Sequence, residues 1–144
     1  MADAPIGNKG FISDLDIRIF LRDTDPDANT LLLDQEFSQE ELRTAWTLAV
    51  DKWNETPPTV STFDIYTFPW RYHLLLQVTS NLLWIAANRY RRNNLKYQIE
   101  GGAVDDQDKA TPYEAAAERM AARFDSWMAT KKIEINVTLG FGWI

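Results

Sequence analysis

Asp23, Asp25, Asp27 and Asp34 stand at the first, third, fifth and twelfth places of a calcium-loop spacing, between two segments that read as helices. Carboxylates so spaced can wrap a hard cation. Three departures weaken the match: Ala28 occupies the place of the obligatory glycine, Pro26 the fourth place, and Asp34 is shorter than the usual bidentate glutamate. A solvated turn with helix-capping carboxylates accounts better for the acidic run. Asp105, Asp106 and Asp108 form a second cluster, but Ala116 stands where its twelfth-place carboxylate would be. No metal site is expected at either.

Other chemistry is sparse. His73 is the only histidine and there is no cysteine, so an imidazole pair, a thiolate nucleophile and a cysteine zinc site are all excluded. Set between Tyr72 and three leucines, His73 reads as a hydrogen-bonded residue near a core. Glu40-Glu41 offers paired carboxylates, but nothing in the chain places either in an apolar cleft. Gly101-Gly102 lacks the glycine pattern and lysine of a phosphate loop, and no Gly-x-Ser-x-Gly occurs. Arg89, Arg91, Arg92 and Lys96 collect near one helix end, where positive charge suits the dipole. They read as a solvated helix end or, more sharply, as a contact for an acidic partner surface. No enzyme signature or cofactor motif survives.

At 144 residues with 45% hydrophobic content and six Trp, the chain suits one domain with a packed core. A formal charge of −6 argues against general attraction to nucleic-acid phosphates. The start, Met1-Ala2-Asp3-Ala4-Pro5, has neither the basic residues nor the apolar core of a signal peptide. The most apolar run, Leu74 to Ala87, is broken by Gln77, Thr79, Ser80 and Asn81 and is too short to span a bilayer. A soluble protein is expected.

Residues 1–12 read as a loose arm. Ser13 with Asp16 resembles a helix start, leading a short apolar face of Leu15, Ile17, Phe20 and Leu21 through Arg22. Ser38 with Glu41 predicts a capping box, followed at helical spacing by Leu42, Ala45, Trp46, Ala49 and Trp53, until Thr56-Pro57-Pro58 stops the helix. Residues 59–68 read as an extended connector or short strand. Pro69 opens a long central helix to about Arg92, apolar over most of its circumference. Residues 93–110 read as a long connection in which Tyr97 to Val104 can form a hairpin around the two glycines. Thr111-Pro112 with Glu114 marks the last helix start, with Ala116, Met120, Phe124, Trp127 and Met128 as its buried stripe. The fold class expected is mainly α: a bundle of three main helices plus a shorter N-terminal one over residues 13–132, with an extended C-terminal β-strand tail over 133–144.

That tail carries the functional reading. Ile133, Ile135, Val137, Leu139, Phe141 and Trp143 alternate with Glu134, Asn136, Thr138, Gly140 and Gly142, and Ile144 follows. A repeat of two is a strand signal. Burying the six alternating apolar side chains would return about 9–18 kcal/mol. Ordering the twelve residues would cost about 12–24 kcal/mol. The near balance predicts a segment that orders only against a partner edge, which would supply main-chain hydrogen bonds and pockets for alternate side chains. Folding back onto Tyr97–Val104 or Val60–Phe68 is the competing arrangement.

Five stretches carry a family likeness: Asp16-Ile-Arg-Ile-Phe-Leu-Arg-Asp23, Phe37-Ser-x-Glu-Glu-Leu42, Asp51-Lys-Trp-Asn-Glu-Thr-Pro-Pro58, Phe68-Pro-Trp-Arg-Tyr72 and Tyr90-Arg-Arg-Asn-Asn-Leu-Lys-Tyr97. From about residue 14 onward the sequence resembles the head-to-tail connector, or adaptor, proteins of tailed bacteriophages. The resemblance implies a small α-helical virion protein, assembled in the host cytoplasm, that stacks as a ring of usually twelve copies beneath the portal protein. It implies C-terminal segments that grip the portal, a lumen that passes DNA without sequence-specific binding, and a next neck or tail-completion protein below. On that reading Ile133 to Ile144 dock on the portal. Arg89, Arg91, Arg92, Lys96, Asp105 and Asp106 become candidates for ring or neck contacts. The loops at residues 56–68 and 93–110 face neighbouring copies or the next tail component. The rivals are an adaptor that donates its terminal strand to a sheet outside any portal, and a small metal-dependent hydrolase using the aspartate loop.

Overall fold

The computed structural model describes residues 12–21, 37–99 and 110–138, with backbone alone over 93–99. Four helices make up most of it: α1 (Asp14–Leu21), α2 (Gln39–Glu55), α3 (Arg71–Ile99) and α4 (Ala110–Thr138). The protein is mainly helical, and no strand occurs among the described residues.

Local chemistry starts two of these helices. The Ser13 amide donates to Asp16 Oδ2 at 2.9 Å while the Asp16 amide donates to Ser13 Oγ at 3.1 Å. Ser38 and Glu41 repeat the exchange at 2.9 and 3.1 Å. Each pair satisfies end amides that the helix itself leaves without acceptors. At the far end of α2 both the amide and the hydroxyl of Thr56 donate to the Lys52 carbonyl.

α3 packs most extensively on α4, α2 lies against α3, and α1 touches both α2 and α3. Leu42, Ala45, Trp46, Ala49, Val50 and Trp53 form the inward stripe of α2. They meet Leu74, Val78, Leu82 and Ala86 of α3, and Phe124 and Met128 of α4. Three of the polar residues that interrupt the apolar run of α3, Gln77, Ser80 and Asn81, tie the layers together. Lys52 Nζ donates to Gln77 Oε1, Gln77 Nε2 to Asn81 Oδ1, Asn81 Nδ2 to the Ala45 carbonyl, and Ser80 Oγ to the Ala117 carbonyl at 2.7 Å. Each removes a polar group from water only where a partner awaits it.

Four expectations are corrected. Ile12 is fully buried in the core and so does not belong to the expected loose arm; residues 1–11 lie outside the described residues. Residues 59–70 are neither extended throughout nor a strand; they form a loop with a turn at Ile65–Thr67. Asp64 Oδ1 organises that turn by accepting from the amides of Tyr66 and Thr67. α3 does not end near Arg92 but continues to Ile99, because no glycine or proline interrupts it before Gly101. Tyr97–Ile99 are therefore helical and cannot start the hairpin; residues 100–104 lie outside the described residues.

The fourth correction concerns the terminal strand. Ile133 to Thr138 continue α4 as helix, so the strand expected over 133–144 is wrong for its first half. Leu139, Gly140, Phe141, Gly142, Trp143 and Ile144 lie outside the described residues. Extending an existing helix fixes one residue per hydrogen bond gained, whereas a strand needs a neighbouring edge.

Candidate functional site

The end of α4 is positioned by one buried lysine. Lys132 is 1% exposed, and its Nζ donates to the Trp53 carbonyl at 2.6 Å and to the Thr56 carbonyl. Both carbonyls belong to the C-terminal end of α2, where helices carry unsatisfied acceptors and partial negative charge. The ammonium also sits 4.8 Å from the Trp53 ring centroid. Burial pushes its pKa down. The two carbonyls and the ring are what make the charge tolerable there. Lys132 thus caps α2 from another helix and sets the rotation of α4 about its axis.

Aromatic packing fixes the same junction. Trp53 lies 5.1 Å from Trp70 and 5.5 Å from both Phe68 and Trp127, between ring centroids. The loop that brings Phe63, Phe68 and Trp70 there is held by Asn54, which accepts from the Phe63 amide and donates to the Phe63 carbonyl. Trp53 Nε1 donates to the Ser61 carbonyl. His73 stacks on Trp127 at 4.1 Å with an interplanar angle of 8°. Burial, and secondarily the Lys131 charge, push its pKa down, which favours the neutral imidazole against the indole. The expected place near a core is where it lies, with a ring stack as the contact in place of the expected hydrogen bond.

Two hollows flank Lys132. One, of about 320 Å³, lies between the end of α2 and α4 and includes Thr56, Pro57, Met128 and Lys132. The 2.7 Å Lys52–Asp125 ion pair stands on its wall. The other, of about 250 Å³, is formed by Trp70, Lys131, Glu134, Ile135 and Thr138. Here the Lys131 ammonium lies 5.7 Å from the Trp70 ring and pairs with Glu134 at 3.3 Å. Of these lining residues the sequence singles out Ile135 within the expected docking segment, Trp70 in the Phe-Pro-Trp-Arg-Tyr stretch, and Lys52, Thr56 and Pro57 in Asp51–Pro58, but it does not bring them together. Lys131-Lys132 even reads as a helix terminus.

The proposed docking residues separate on α4. Ile135 turns inward and packs partly buried against the core. Ile133 and Val137, one turn apart, point outward at 62% and 60% exposure. They form a small apolar stripe on a helix end and not one face of a strand.

The basic cluster is largely engaged within the molecule. Arg89 pairs with Glu41 at 2.7 Å and lies over Phe37, and Arg91 pairs with Glu114. Arg92 is exposed. Lys96 falls within α3, and its side chain lies outside the described residues, as do Asp105 and Asp106. The aspartate loop, Asp23, Asp25, Asp27 and Asp34, does too. Among the described residues no group of three or more His, Cys, Asp or Glu converges as a metal site would require. No described helix is long and apolar enough to cross a membrane.

Comparison of the chain with family models, with curated proteins and with solved structures found no match in any of the three.

Proposed function

We propose that this chain is a non-enzymatic structural protein of a phage virion, a connector that docks beneath a portal through the end of α4 and residues 139–144. In that role it extends the DNA channel and provides the platform for tail attachment. One observation carries the reading: Ile133 and Val137 stand exposed on the last turns of a helix that leads directly into the apolar segment Leu-Gly-Phe-Gly-Trp-Ile. Two exposed apolar side chains one helical turn apart, next in sequence to a further apolar segment, suit a protein partner. The five short stretches that resemble connector proteins make that partner a portal. They also suggest a ring of copies, usually twelve, with a neck or tail-completion protein below.

The helical course of 133–138 alters the mode of docking. Ile133 and Val137 act as anchors spaced by one helical turn in a groove of the partner, and only residues 139–144 remain for strand addition. Of the three arginines in the basic cluster, Arg92 is the best placed for a neighbouring copy, since Arg89 and Arg91 already serve ion pairs inside the protein.

The test is direct mixing with purified portal rings, followed by sedimentation. The full chain should form a specific complex that is lost on deleting residues 139–144 and weakened at least tenfold by Ile133→Ser with Val137→Ser, equivalent to about 1.4 kcal/mol. Absence of any complex overturns the portal reading and favours an adaptor for another partner.

A further inference from the structure

The hollow between the end of α2 and α4 has a volume of about 320 Å³, inside the ~300–1,000 Å³ range of small-molecule sites. Met128 and Lys132, both buried, line it from within, while Pro57, Asp125 and Ala129 are exposed at its mouth. The lining is apolar at Pro57, Met128 and Ala129, and its charged members are Lys52, Asp125 and Lys132.

Lys132 brings a full positive charge to this hollow without a counter-charge. An ammonium has three N–H donors. Two are spent on the Trp53 and Thr56 carbonyls, which are uncharged acceptors, and among the described residues Lys132 makes no ion pair with a carboxylate. Asp125, the one carboxylate in the lining, is taken by Lys52 at 2.7 Å. Burial alone pushes the Lys132 pKa down, and no neighbouring carboxylate holds it up. Buried charges are ordinarily paired, and the two carbonyls and the Trp53 ring offset this one only in part. Two lysines against one aspartate leave the lining with a net charge of +1.

We propose that this hollow binds a small monocarboxylate with a short apolar chain. Its carboxylate accepts from the third N–H of Lys132, and its chain lies against Pro57, Met128 and Ala129. A single negative charge matches the lining. A doubly charged phosphate would exceed it and would have to compete with Asp125 for Lys52. The apolar wall favours an organic anion over a hydrated inorganic one, because the chain leaves water as it binds. The site stands or falls independently of portal docking.

Titration of the full chain with 3-methylbutanoate, followed by NMR of methyl-labelled methionine, tests it. The Met128 signal should shift saturably, while that of Met120, which is not part of the lining, stays in place. The neutral isostere 3-methylbutanamide should shift neither. Lys132→Gln keeps a donor and removes the charge, and should weaken binding about tenfold or more. Ala129→Leu, at an exposed position in the mouth, should weaken it similarly by filling the hollow, and it decides the matter if Lys132→Gln fails to fold. No saturable Met128 shift, equal binding of the amide, or undiminished binding in either folded variant overturns the proposal. Inorganic phosphate shifting Met128 as strongly as the carboxylate also overturns it, and assigns the hollow to inorganic anions.

Discussion

Lys132 and Ile133 are neighbours on one helix, and their environments are the reverse of what their side chains suggest. The lysine is enclosed at the α2–α4 junction, held by two carbonyls and an indole, while the isoleucine faces outward. Upstream, α4 is held by hydrogen bonds, ion pairs and rings that leave one arrangement. Downstream, two of the three described apolar side chains, Ile133 and Val137, face outward. Burial of a charge is favourable only where acceptors are already waiting. The open end of α2 provides them, and that contact dictates which way Ile133 and Val137 point. The interior contact is therefore what presents the exterior one.

Removing the largest member of the junction should break the contrast most severely. Trp53→Ala deletes the ring that touches Phe63, Phe68, Trp70 and Trp127 and lies beneath the Lys132 ammonium. A loss of about 3–5 kcal/mol is expected from the cavity alone. Urea unfolding followed by far-UV circular dichroism measures it, and a loss under about 1 kcal/mol would show that the aromatic cluster does not hold the junction.

Lys132→Met is the sharper cut, since it keeps most of the stem's packing and removes only the ammonium. The Trp53 and Thr56 carbonyls then lose a charged donor, at about 1–3 kcal/mol. The adjacent Lys131→Met should cost less, under about 1 kcal/mol, because Lys131 has an exposed Glu134 as its ion-pair partner and only the edge of the junction, the Trp70 ring at 5.7 Å, beneath it. Equal losses at the two lysines would erase the distinction between them.

A smaller effect is expected from pH. His73 stacked on Trp127 has its pKa lowered by burial and then by Lys131, so the folded state binds its proton less readily than the unfolded state does. Its contribution is complete above the ordinary value of 6.5 and declines as pH falls through that value toward the lowered one. Denaturation midpoints on either side of 6.5 should show the decline, and His73→Gln should lack that part of it. A midpoint that rises on acidification through this range, and does so only with His73 present, would contradict the stacking account.

The parts of the fold legible in the sequence were those decided within a few residues. Ser13 with Asp16 and Ser38 with Glu41 announce helix starts because both partners of each capping box lie on the same turn. The stripe from Leu42 to Trp53 announces a helix because its spacing does. Lys132 was illegible for the opposite reason: its acceptors lie 79 and 76 residues earlier, so a Lys-Lys pair reads as a terminus. The alternation from Ile133 misled because apolar residues two apart are also compatible with a helix that buries one of three. Only the placement of Lys132 determines that Ile135 is the one turned inward. The hollow beside it joins Trp70 to residues more than sixty positions later, a meeting no local pattern encodes.

The smallest expected change in stability is the most informative about function. Ile133→Ser and Val137→Ser remove two large apolar groups that are mostly in water already, so stability should move by no more than about 0.5 kcal/mol in either direction. Ile135→Ser, two residues from each, leaves a hydroxyl in a partly buried place and should cost more, about 1–3 kcal/mol. If the outward pair exists for a partner, its loss should appear in binding and not in folding, while Ile135→Ser lowers both. Thermal unfolding and portal sedimentation on the same three variants separate these cases. Strong destabilisation by Ile133→Ser would mean that its face is covered within the free protein, and the helix end would then lose its standing as a docking surface.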